Sequence, residues 1–132
     1  MTKDTIKYWH QIIENLTEDT LDNILADDVV FHSPVVHTPQ EGKRLTKMYL
    51  INALAVLKND TFSYQSEVIE GINAVLEFTT NIDGIEVNGV DMIRCNDDGK
   101  IIDFKVMIRP LQAINIVHKK VGERLATLKK TN

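Results

Sequence analysis

Three tight joints constrain what this chain can fold into more than any other feature. Gly71, Asp83-Gly84 and Asp98-Gly99 separate four runs, near 62–70, 73–82, 85–96 and 100–109, in which apolar and polar side chains alternate. Period-two alternation marks a strand with one buried face, and Asp-Gly between two such runs is a strong hairpin signal. The middle of the chain therefore reads as four consecutive antiparallel strands. Residues 4–15 follow a different rule, with Ile6, Tyr8/Trp9, Ile12, Ile13 and Leu16 at the i, i+3, i+4 spacing of an amphipathic helix. Thr17 offers an N-cap hydroxyl, and Glu18 and Asp19 place acid in the first turn of a short helix running to about Leu25. Val29 to Ser33 is a short β-branched strand stopped by Pro34, and residues 34–42, with two prolines and a glycine, are a loop.

A third helix is expected over 43–57, with Leu45, Met48, Tyr49, Ala53 and Val56/Leu57 inward. A final helix should follow Pro110, which suits a first helical turn, with Leu111, Ile114, Val117/His118, Val121, Leu125 and Leu128 as its stripe. The fold class is α+β, and residues 1–132 read as a single domain.

Composition excludes several classes. Hydrophobic residues at 43% and charged residues at 26% suit a globular chain, not a disordered, collagen-like or disulfide-built one. The longest apolar runs, such as 53–57, are far too short to span a bilayer, so no membrane partner is expected. The first residues lack the apolar core of a signal peptide, and Cys95 alone cannot form an internal disulfide. A cytoplasmic location is the expectation. Net charge is −4 but unevenly spread, with +6 from Lys100 onward against −10 before it. From Leu111 on no aromatic residue interleaves those cations to stack bases, so they read as a solvated helix face and not as a nucleic-acid surface.

Familiar chemical machinery is missing from the motifs. No GxxxxGK[ST] or GxGxxG is present, and no cofactor is implied. Ser33 lies in His-Ser-Pro, outside any GxSxG elbow. His32 and His37 flank Pro34 without a nearby carboxylate to complete a ligand set, so no metal is expected. Cys95 reads as a small buried hydrophobe. Asp91 resists such an account. It shares strand parity with Val87, Gly89, Ile93 and Cys95, which puts a carboxylate in an apolar row. An unpaired buried charge is costly, so Asp91 either finds donors or lines a cavity with a raised pKa.

The run Leu25-Ala26-Asp27-Asp28-Val29-Val30-Phe31-His32-Ser33-Pro34, then Pro39 and Gly42, and the block Val90-Asp91-Met92-Ile93-Arg94 with Asp98-Gly99-Lys100-Ile101-Ile102, resemble the nuclear transport factor 2-like superfamily. The pattern is nearest to SnoaL-like polyketide cyclases and ketosteroid isomerases. The resemblance implies a cone: a curved antiparallel β-sheet wrapped around N-terminal helices, here with an extra C-terminal helix, and a homodimer through the sheet face. It also implies roles. Asp91 falls where the isomerases keep a protonated aspartic acid, held neutral by an apolar site, that donates to an oxyanion. Trp9 falls where they keep a partner tyrosine. Ser33 falls where they keep the aspartate that moves the proton. The pattern also resembles limonene-1,2-epoxide hydrolases, with Val106 standing where their second acid would be.

Parity draws the pocket wall. Phe31 and Ser33 share one side of the first strand, Ile102, Phe104, Val106 and Ile108 are uniformly apolar, and Tyr49 and Met48 close the space from the third helix. The expectation is a small hydrophobic ligand, its oxygen met by Asp91 and Trp9 and its hydrocarbon enclosed by Phe31, Tyr49, Phe104, Val106 and Ile108. Three activities fit: acid-assisted isomerisation, cyclisation or hydration with Asp91 as proton donor; non-catalytic ligand binding; or an interaction module using the sheet face or the basic helix. Arg109, before Pro110, has either a ligand carboxylate or a salt bridge as its partner.

Overall fold

A computed structural model describes residues 1–130; the side chains of Lys129 and Lys130, the end of the basic run, lie outside the described residues. Helix α1 (Thr2–Ile12) continues into a 3-10 turn (Ile13–Asn15) and buries Ile6, Trp9, Ile12 and Ile13, the stripe its periodicity prescribes. Thr17 caps α2 (Glu18–Asp22) through a reciprocal pair: Thr20 N donates to Thr17 Oγ1 at 3.2 Å and Thr17 N to Thr20 Oγ1 at 3.0 Å. That helix stops short of Leu25, because Leu25 opens strand β1 (Leu25–His32). Asp27 and Asp28, expected to end the preceding pattern, form an exposed irregularity inside β1, after which Val29 and Phe31 turn inward.

The remaining elements are β2 (Gln40–Glu41), α3 (Lys43–Leu57), β3 (Ser63–Glu70), β4 (Asn73–Ile82), β5 (Ile85–Cys95), β6 (Ile101–Arg109) and α4 (Leu111–Lys130). They form one sheet in the order β2-β1-β6-β5-β4-β3. Strands β3 to β6 run antiparallel, as the Asp-Gly joints require. Between the Ile82–Ile85 pair, Asp83 and Gly84 both take positive φ, +51° and +86°. That pair of angles belongs to the type I′ turn, whose twist matches the flanking strands. The sheet is mixed, not purely antiparallel, because β1 joins β6 in parallel. The cone and the α+β class are as expected.

Both long helices bury part of the expected face, Leu57 in α3 and Val117 and Val121 in α4, and depart from it elsewhere. In α3 the deepest residues are Thr46, Leu50, Asn52, Leu54 and Leu57, while Leu45, Met48, Tyr49, Ala53 and Val56 are half-buried. The reason is that α3 packs against β1 on one side and α4 on another, so no single stripe describes it. Asn52 is tolerated at 4% exposure because its amide donates to Met48 O at 2.8 Å and accepts from Arg124 Nε at 3.1 Å. In α4 the inward residues are Ala113, Val117 and Val121; Leu111, His118 and Leu128 are exposed. The helix is set by Pro110, whose carbonyl accepts from Ala113 N and Ile114 N.

Candidate functional site

Strand β5 alternates as its sequence demands, with Val87, Gly89, Asp91, Ile93 and Cys95 buried on the inner face. Asp91 is 6% exposed, between Leu76 of β4 and Val106 of β6. A carboxylate there must find donors or hold its proton; Asp91 finds a donor and its pKa is raised, but it does not line the cavity described below. Tyr64 O–H donates to Asp91 Oδ2 at 2.6 Å, and the Trp9 indole N–H donates to the Tyr64 oxygen at 2.9 Å. Burial pushes the Asp91 carboxyl up to about 7, with the Tyr64 hydrogen bond pulling the other way. Burial, reinforced by the Asp91 charge, drives the Tyr64 phenol well above its usual value. Tyr64 is therefore a donor throughout the physiological range. Near neutrality Asp91 is divided between an acid, whose own O–H can donate, and a carboxylate.

Tyr64 was not among the residues the sequence singled out. Ser63–Glu70 is polar and mostly exposed, and only Tyr64 and Ile69 turn inward. Those two have opposite parity, which a regular strand forbids. A bulge between Tyr64 and Ser66 resolves it: Tyr64 pairs with Phe78, but Ser66 pairs with Glu77. The one signal available in the sequence is this parity conflict between a large ring and an aliphatic chain in a polar strand. The His10 ring stands edge-on to Tyr64 at 5.1 Å and is hydrogen-bonded to Glu67, which closes the outer side of the relay.

The apolar wall is only partly where parity puts it. Phe31, Ser33, Tyr49, Val106 and Ile108 line one cavity, completed by Pro34, Val35, Leu57 and, from α4, Val117 and Val121. It measures about 20 Å³, room for a single water-sized body. Its lining contains neither Asp91 nor Phe104. Phe104 is instead core, with its ring 5.2 Å from Trp9 and 6.1 Å from Phe31. Asp91 lies one strand away, roughly 4.8 Å across the sheet from Val106, so the acid and the cavity are neighbours and not one space. Trp9, fully buried, spends its N–H on Tyr64 and not on an open space. Ser33 Oγ accepts from Val35 N at 3.2 Å, a local turn bond.

The histidines lie apart from this relay. His32 pairs with Asp103 at 2.9 Å on the outer face, and with exposed His37 and Lys105 it borders an open groove of about 530 Å³. Arg109 lies on the outer face as well, exposed beside a second groove with Met107 and Glu77. Cys95 is buried against the Thr2 and Thr5 hydroxyls, and burial pushes its thiol up, away from reactivity. Among the described residues no three His, Cys, Asp or Glu side chains gather as a metal-ligand set, and no helix is long and apolar enough to cross a membrane.

A curved sheet closed by helices, with a polar relay buried against its inner face, defines the class of cone-shaped α+β domains. Residues 6–104 match the SnoaL-like domain model, and the chain belongs to that family. It is similar to a steroid delta-isomerase from Pseudomonas aeruginosa, with 35% identity over 98% of this chain and 94% of that one and a TM-score of 0.91. It is also similar to an uncharacterised protein with a cystatin-like fold from Silicibacter pomeroyi, at 27% identity over 93% and 86% of the two chains and a TM-score of 0.86. An NTF2-like protein of unknown function from Mesorhizobium loti shares the fold at 18% identity and a TM-score of 0.69, over 83% of this chain and 91% of that one. No curated protein matches the chain.

Proposed function

We propose that this chain binds a small, mostly apolar molecule carrying one oxygen, which accepts a hydrogen bond from protonated Asp91 at the end of the relay. The observation that carries the reading is the buried series Trp9 N–H to Tyr64 O–H to Asp91. A buried polar series of this kind costs stability relative to hydrocarbon of the same shape, and its members point their donors one way. The apolar cavity between β6, α3 and α4 supplies the hydrocarbon end. A protonated Asp91 suits a carbonyl or phenolic oxygen, and an anion better still. The likeness to a steroid delta-isomerase is consistent with an oxygen-bearing ligand, while Ser33 and Val106 put no carboxylate in the cavity wall. Binding is therefore favoured over proton-shuttling catalysis.

Trp9 is the chain's single tryptophan, so its emission reads the site directly. Adding 2-naphthol should change Trp9 emission saturably and move the Asp91 carboxyl-carbon resonance. No change in either signal up to the solubility limit of 2-naphthol overturns the reading.

A second reading, pairing of two copies through the sheet, rests on a different observation. Val68, Met92 and Met107, 62%, 37% and 49% exposed, lie on adjacent rungs of the outer face with Val75 and Val90 between them. Contiguous exposed hydrocarbon of this kind marks a contact surface.

A further inference from the structure

Pro34 has no N–H to give a sheet, and β1 ends at His32 in front of it. The strand beside it does not end there. The parallel register of β1 on β6 closes with His32 opposite Lys105, while β6 runs on to Arg109. Residues 33–39 do not take up the pairing. Val35 N donates to Ser33 Oγ in a local turn, and the chain returns as β2 on the far side of β1, with Gln40 opposite Phe31. Among the described residues no backbone hydrogen bond joins residues 33–39 to β6. Past Lys105 the β1 side of β6 is therefore an open strand edge, into which alternate residues direct their N–H and C=O groups.

The groove of about 530 Å³ lies along this edge. Four consecutive residues of β6 line it, Lys105, Val106, Met107 and Ile108. Lys105 and Met107 belong to the outer face of the sheet, whereas Val106 and Ile108 belong to the inner face and to the apolar cavity. Only the edge of a strand presents both of its faces to one space. The opposite wall is the 34–39 loop, including His37, and no acidic residue lines the groove. Asp103, behind it, is already paired with His32 at 2.9 Å. Lys105 and His37 have no hydrogen-bond or ion-pair partner among the described residues.

We propose that the open edge of β6 takes an extended peptide as an added strand, one whose side chains alternate acid and hydrocarbon. Pairing of main chain with main chain holds the peptide, and strand parity sets its pattern. Every second side chain falls on the outer face beside Lys105, where a carboxylate meets an unpaired ammonium. The others fall on the inner face beside Val106 and Ile108, where groove and cavity share a wall and hydrocarbon fits. The proposal makes no use of Asp91 and is independent of the ligand reading above. Met107 also belongs to the exposed surface of the second reading, so a second copy of the chain is the rival occupant.

The test follows amide shifts and amide hydrogen exchange of the whole chain during titration with a capped pentapeptide of alternating glutamate and valine. In the free chain, alternate amides from Val106 to Arg109 should exchange freely, and saturating peptide should slow them. The backbone N-methylated form of the same peptide should bind about tenfold more weakly, the equivalent of losing one or two hydrogen bonds. A lysine–valine peptide should bind about threefold more weakly than the glutamate–valine one, and Lys105→Glu should reverse that order. No change at β6 up to the solubility limit of the peptide overturns the proposal. Equal binding of the N-methylated form does so too, because the groove is then an apolar trough and not a strand edge. An unchanged peptide preference in Lys105→Glu removes the acidic partner and with it the proposal. Protection of the same amides in the free chain, rising with its concentration, gives the edge to a second copy and refutes the proposal.

Discussion

The Tyr64 hydroxyl donates to Asp91 Oδ2 at 2.6 Å, across a bulge that no regular strand would place there. The bond stabilises the charged form of Asp91 against burial, which acts in the opposite direction. Tyr64→Phe removes that donor and leaves the Trp9 N–H without its acceptor. The Asp91 carboxyl should then titrate above the value of about 7 it has now. Stability should fall by about 1–3 kcal/mol, the usual consequence of orphaning a buried polar group. Carbon-detected NMR titration and urea unfolding read the two effects. An unmoved Asp91 titration would separate the phenol from the acid.

Asp91 also makes stability depend on pH with a definite sign. Its folded pKa of about 7 lies above the 3.8 of the unfolded chain, so between those values the folded state holds more protons. Stability contributed at this position is thus fully present below about pH 4, falls as pH rises, and levels off above about 7. The difference corresponds to about 4 kcal/mol as an upper bound. Asp91→Asn cannot titrate. The unfolding free energy of the unaltered chain relative to Asp91→Asn should therefore decline across that window. A difference that is flat from pH 4 to 8 places Asp91 in contact with water.

Assembly follows from the outer face. Light scattering should give twice the 15.0 kDa chain mass at micromolar concentration. Met107→Glu, placing a charge at the β6 end of the exposed Val68–Met92–Met107 surface, should return a monomer with its unfolding midpoint little changed. A clean monomer in the unaltered chain defeats the pairing reading.

Ser33 governs a fourth outcome. Although 35% identical to a steroid delta-isomerase, the chain presents a serine hydroxyl engaged with Val35 N, at the position where the resemblance to ketosteroid isomerases implies a carboxylate. A hydroxyl does not act as a base at neutral pH, so a β,γ-unsaturated ketosteroid should be converted no faster than in buffer. Ser33→Asp should raise the rate, since a positioned base contributes about 10²–10⁴-fold. Turnover by the unaltered chain would assign the proton transfer to another group.

The elements that alternate cleanly, β4, β5 and β6, and the helix over 43–57 were legible in the chain itself. So was the burial of Asp91, because parity in a two-faced strand leaves a carboxylate between Gly89 and Ile93 only one side to face. Periodicity is a local property, and it sufficed wherever an element has one neighbour layer. It failed where an element has two. Helix α3 packs on β1 and on α4, and its deepest residues are therefore Thr46 and Leu50, not the stripe through Tyr49 and Ala53. The partner of Asp91 was likewise out of reach. Tyr64 is 27 residues away and arrives through a strand bulge whose cause is the fit of β3 to β4, not any turn residue. That a buried acid exists, and on which face it lies, follows from residue order alone. That Tyr64 donates to it and Trp9 to Tyr64, that Val117 and Val121 of α4 complete the wall of a neighbouring cavity of about 20 Å³, and that His32 turns outward to Asp103 were settled by the folded arrangement. Each of these is a contact between segments distant in the chain, selected by close packing, for which local residue spacing carries no signal.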